Sequence, residues 1–293
     1  MKILNISIDI ESLEECEKRL RDKSLQELCE NFKLGYENIL STFAFPIAVA
    51  DYSMQSLYDI EYRLKAATEL KTSLTDESKE FKTLVNKLRA KDRKKGRGIN
   101  AASKMLKGMT KELSFLDDTI NQITLNSIVN SWTIFESIMK DTWIHLLNSD
   151  PKRFLSSTLL NNDGELPGIE GKNISIALLQ KYNLDVSNHL GDLLHKKYDF
   201  TSVRGIKKAY SELFKKEGMD FSFLENNTLC QLEIARHITV HKGGIIDEEY
   251  LKRTSYKNEK LGHKLNYSAR RSKELINSPI SIGTKLFLIV DTI

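Results

Sequence analysis

Apolar residues recur along most of this chain at the three- and four-residue spacing of helices buried on one face. From Ser12 onward Leu13, Cys16, Leu20, Leu25 and Leu28 mark a first helical pattern. A second runs from about Gln26 to Ala44, where Pro46 is expected to end or kink it. Between Ser53 and Ala90 the positions Leu57, Ile60, Leu64, Ala67, Leu70, Phe81, Leu84 and Leu88 form an amphipathic series, and Leu74-Thr-Asp-Glu-Ser78 reads as a break with a new cap. A longer helix is predicted over Leu116–Asn148, where Ile120, Ile123, Ile128, Trp132, Phe135, Met139, Trp143 and Leu146 face one way before Pro151. Shorter helices are expected near 173–182, 202–217 and 222–242, with a loop at Asn161–Gly168 and a last apolar helix over Ile280–Val290. Lys2–Ile10 has the look of a short strand, and no internal repeat is visible. The prediction is an all-α protein in two regions: residues 1–110, helical and ending in a basic linker, and residues 111–293.

Composition supports this reading. Only four prolines and 14 glycines interrupt 293 residues, and 40% are apolar, enough for a real core. No apolar run is long enough to span a bilayer, and the first ten residues lack a leader's apolar core. Cys16, Cys29 and Cys230 have neither zinc nor disulfide spacing, and Cys230 is expected to be buried. A reduced, cytoplasmic setting with no cofactor follows as an expectation.

Charge changes the picture more. The net charge is +4, yet Lys87–Lys107 carries nine Lys/Arg against Asp92, and Lys252–Lys273 carries eight against Glu259. Two basic tracts on an otherwise acidic chain suggest a polyanion. Lys91–Gly98 reads as the exposed linker, with Arg93, Lys94, Lys95 and Arg97 as candidate RNA contacts, joined by Lys242.

The candidate chemistry lies in Glu233-Ile-Ala-Arg-His-Ile-Thr-Val-His-Lys-Gly-Gly244. An arginine can neutralise a phosphate with two parallel hydrogen bonds, and a histidine can carry a proton near neutral pH. Arg236, His237 and His241 stand together at a helix end stopped by Gly243-Gly244, where the helix dipole favours positive charge. Glu233 and Glu136 are candidate supporting carboxylates.

Arg236-His-Ile-Thr-Val-His241 fits R-x4-H with a polar residue after the arginine. With Trp132–Trp143 as a long upstream helix and Tyr198–Tyr210 as a middle section, residues from about 115 to 293 resemble the HEPN superfamily. That resemblance implies a HEPN-like helical bundle behind an N-terminal helical extension. It also implies metal-independent endoribonuclease activity in a homodimer, with Arg236, His237 and His241 of both copies across one cleft. A toxin or antiviral defence effector, with a cognate antitoxin or defence-system partner, is the setting it implies. Other readings remain open. Glu233, His237 and His241 share a helix face and could ligate a metal. Arg236 could be a structural ion-pair residue. The fold could hold RNA or nucleotide without cutting it, or serve as a helical interaction protein.

Overall fold

The computed structural model describes residues 6–154, 176–254 and 259–292, and it is built from helices. Among the described residues the only β pairing is an isolated bridge between Ile245 and Lys264. The strand expected over Lys2–Ile10 is not found over residues 6–9, and residues 1–5 lie outside the described part, as does Asn161–Gly168. No described helix is long and apolar enough to cross a membrane.

Helix α1, Ile10–Arg19, starts where the Asp9 side chain accepts the Ser12 amide, and it buries Leu13 and Cys16. Helix α2 then runs from Lys23 to Leu70 with Pro46 inside it. Of the two outcomes expected at Pro46, an end is therefore corrected, because α2 continues through the proline. A proline deletes one main-chain hydrogen bond at a cost of about 3 kcal/mol. That cost is met by anchors on either side, with Phe32 and Tyr36 fully buried before the proline and Tyr62 and Ala66 after it. Ser78 caps α3, Lys79–Lys94, by accepting the Phe81 amide, so the break foreseen at Leu74–Ser78 is real.

The linker expected over Lys91–Gly98 is a second correction. The tract forms the end of α3, a tight turn at Lys95-Gly96 and the start of α4, Arg97–Glu112. One of its two arginines, Arg97, is neutralised, while Arg93, Lys94 and Lys95 face solvent. Arg97 pairs with Asp92 at 2.6 Å and with Glu61 at 2.7 Å, and its guanidinium lies 4.8 Å from the centre of the Tyr58 ring.

Helix α5, Ser114–Ser149, matches the long helix predicted from Leu116. After α6, Pro151–Phe154, and α7, Ile176–Lys181, come α8, Leu190–Leu194, and α9, Val203–Leu213. Helix α10, Asn227–Lys242, α11, Glu248–Thr254, and α12, Ala269–Val290, complete the described chain. The last begins eleven residues before the apolar run at Ile280, at a Ser268 cap. Cys16 and Cys29 are buried free thiols, and Cys230 is half-buried, more open than expected.

The chain divides into two compact units. One is formed mainly by Leu40–Thr124; its core is Tyr62, Ala66, Ala67, Phe81 and Val85, with Leu84 and Leu88 packed against it. The other joins Ser7–Ile39 to Leu125–Ile293, which differs from a division near residue 110. In this second unit Leu125, Ile128, Trp132, Phe135, Met139 and Trp143 of α5 are buried completely, as expected of core positions. Polar bonds fix the register: the Trp143 indole donates to the Ala209 carbonyl at 3.1 Å, and the Tyr210 hydroxyl to the Met139 carbonyl at 2.7 Å. Helices α1 and α12 are stitched together at both ends. The Asp9 amide donates to Asn277 Oδ1 at 2.7 Å, and the Asp291 carboxylate takes the amides of Arg21 and Asp22.

Candidate functional site

Helix α10 presents the candidate chemistry. Its apolar side, Leu229, Leu232, Ala235 and Ile238, is buried, which turns His237 and His241 outward. The helix stops sharply: Gly243 takes a left-handed conformation at φ 61° that a side chain disfavours, and the Gly244 amide returns to the Ile238 carbonyl at 3.1 Å. The stop leaves His241 and Lys242 exposed in the last turn.

The two imidazoles lie together, with ring centres 4.8 Å apart and planes at 48°. Four residues apart on a helix places side chains on one face, so this proximity follows from spacing alone. Arg236, one residue before His237, is half-buried, and its side chain leaves the helix about 100° around from the histidine face. Its guanidinium makes no hydrogen bond or ion pair among the described residues.

Glu136, on α5, feels the charge of Arg236. The Trp132 indole donates to its Oε2 at 3.0 Å. Burial pushes the Glu136 carboxyl above its ordinary range, the Trp132 hydrogen bond and the Arg236 charge pull it down, and Asp199 pushes it up again. Glu136 and Arg236 are thus coupled through their charges without a direct bond.

Glu233 does not orient either histidine or the arginine. Its Oε2 accepts the Val203 amide at the start of α9 at 2.8 Å, and its Oε1 meets Arg253 at 3.3 Å. With both oxygens so occupied, Glu233 is drawn away from a metal stripe with His237 and His241. Among the described residues no three His, Cys, Asp or Glu side chains group to hold a metal.

Two participants were not foreseen. Asp199 accepts from the Thr201 amide and hydroxyl and from the Ser202 hydroxyl, bonds that hold its carboxyl below the usual range. Asp-Phe-Thr-Ser is a recognisable side-chain turn, but nothing local says that its carboxylate acts on Glu136. Arg253 lies among charges in the second basic tract, and its role came only with the fold.

The basic tracts divide. Arg93, Lys94 and Lys95 are exposed and without partners among the described residues, as is Lys242. Arg97 is committed to Asp92 and Glu61, so its reading as an RNA contact is corrected to a structural one. In the second tract Arg253 pairs with Glu233 and Glu249, and Arg270 and Arg271 with Glu274.

Comparison with protein-family models, curated proteins and solved structures finds no match to this chain.

Proposed function

We propose that this protein is a metal-independent endoribonuclease of HEPN type. The observation that supports the reading is an uncommitted Arg236 guanidinium in the same last turns of α10 as the exposed, neighbouring His237–His241 pair. An arginine in a structural role would have its carboxylate; this one has a neighbouring charge at Glu136 and no bond.

Cleavage by the RNA's own 2′-hydroxyl needs a proton acceptor, a proton donor for the departing 5′-oxygen, and positive charge on the pentavalent phosphorus. Arg236 supplies the charge to the nonbridging oxygens. His241 takes or gives the proton, and His237, within ring contact of it, assists or carries the second proton. The 2′-hydroxyl attacks phosphorus, the 5′-oxygen leaves with a proton, and the products are a 2′,3′-cyclic phosphate and a 5′-hydroxyl. No metal enters these steps. A homodimer would bring two such motifs to one cleft and supply acid and base from different copies. A toxin or antiviral effector acting on cytoplasmic RNA, held in check by a cognate antitoxin or defence-system partner, suits the activity.

The test is incubation of the purified protein with RNA, with and without EDTA, followed by end-group analysis. Cleavage should survive EDTA and leave the cyclic phosphate. Arg236→Ala and His241→Ala should each lower the rate by about 10²–10⁴-fold, with unchanged melting temperatures. Chelator-sensitive cleavage would overturn the mechanism, and RNA binding without cleavage would leave a noncatalytic module.

A further inference from the structure

A cleft of about 770 Å³ opens within the Leu40–Thr124 unit, between the middle of α2 and the turn joining α3 to α4. Ligand sites typically measure roughly 300–1,000 Å³. What this cleft could hold follows from which of its polar groups are already satisfied. Asp59 is taken by Arg63 and Arg89, and Asp92 by Arg97. The Tyr58 ring is covered by the Arg97 guanidinium. These groups build the wall and have little left to offer.

Several lining groups remain open: Gln55 and Ser56 make no side-chain hydrogen bond among the described residues, and three further groups carry the more specific chemistry. Arg93 is exposed and has no partner among the described residues. Asp51 has no hydrogen bond or ion pair among them either; its carboxylate lies so close to Gly98 that a methyl group there would collide with it. Tyr52 leaves 76% of its surface to solvent, at the edge of the cleft lining. Ile60 and Ile99, also exposed, add an apolar rim.

Each open group selects a chemistry. The uncommitted Arg93 guanidinium favours a phosphate, Arg89 being already paired with Asp59. An unpaired carboxylate accepts from neighbouring hydroxyls, as on a ribose. An exposed tyrosine ring stacks a base. A wholly apolar ligand would strand Arg93 and Asp51 without water or partner. Inorganic phosphate would use Arg93 and leave the ring and carboxylate idle.

We propose that this cleft is a binding site for a ribonucleoside 5′-phosphate, with the phosphate on Arg93, the sugar hydroxyls on Asp51 and the base on Tyr52. The site stands apart from the ribonuclease reading and does not depend on it.

Calorimetric titration of the full chain with AMP, GMP, CMP and UMP in turn, and with adenosine and inorganic phosphate, tests this. At least one nucleotide should bind saturably, once per chain, and more tightly than adenosine or phosphate. Arg93→Ala should weaken it about tenfold or more, and Tyr52→Ala at least about fivefold. Both residues are exposed, so melting temperatures should not move. Arg236→Ala, which should abolish RNA cleavage, should leave nucleotide affinity unchanged; the two proposals therefore fail separately. The site is overturned if no nucleotide binds at millimolar concentration, if both cleft variants bind as the parent does, or if phosphate alone binds as tightly. Loss of nucleotide binding in Arg236→Ala would move the ligand to α10 and equally overturn it. Binding of oligonucleotides alone would mark the cleft as an RNA track instead.

Discussion

At Arg236 the guanidinium stays uncommitted, while the Glu136 carboxylate whose charge it feels accepts from the Trp132 indole. The half-buried carboxylate carries a testable consequence. Burial raises its proton affinity in the folded state, so the native protein binds that proton more readily than the unfolded chain. Such a group's contribution is full below the carboxylate's ordinary range and is lost as pH climbs through the folded value. Glu136→Gln keeps the Trp132 acceptor and removes the titration. Its stability relative to the parent should therefore improve from roughly pH 4 upward, and denaturant melts at several pH values would show it. A parent that gains on the variant with rising pH would mean that attraction to Arg236 outweighs burial. The residue types of the motif were legible, since arginine, histidines and a glycine stop are all local. Their partners were not: Trp132 and Glu136 lie on another helix, and only packing brings Asp199 near them.

Among the helices, Glu233 links three. Its carboxylate joins α10 to the first turn of α9 through the Val203 amide and to α11 through Arg253. An amide at a helix start left without an acceptor costs about 1–3 kcal/mol. Glu233→Ala should accordingly lower unfolding free energy by that amount in a urea titration, while Glu233→Gln should recover part of it. A stability change below about 0.5 kcal/mol would show that water satisfies the amide as well. Helical periodicity made α5 readable nearly to its ends, because its apolar positions repeat without interruption. Pro46 and Lys91–Gly98 misled for one reason. Proline and dense charge are local signals, and both were overruled by contacts elsewhere, the anchors Tyr36 and Tyr62 for one and the acids Glu61 and Asp92 for the other.

For the whole molecule, the exposed cations of the α3–α4 turn give a measurable signature. If Arg93, Lys94 and Lys95 meet RNA phosphates, neutralising each should reduce the slope of log K against log salt by ~0.7 on single strands. Arg97→Ala should instead destabilise the Leu40–Thr124 unit, and an unchanged slope in the triple variant would confine the tract to its own fold. The all-α class was legible because period and composition agree. The division into units was not, because residues 7–39 join Leu125–Ile293 through contacts that span most of the chain. The stitching of α1 to α12 bears on how the molecule is made. Ile10–Arg19 leaves the ribosome on the order of tens of seconds before Ala269–Val290, at typical elongation rates. During that wait Leu13 and Cys16 have no α12 to cover them, while the Leu40–Thr124 unit has all of its own sequence. Folding during synthesis should therefore start in the inserted unit, and the unit that carries α10 should close last. Chains released before residue 269 should yield to protease across residues 7–39 yet resist over 40–124. Under the proposed ribonuclease activity that order would keep a nascent chain from cutting RNA before it is finished.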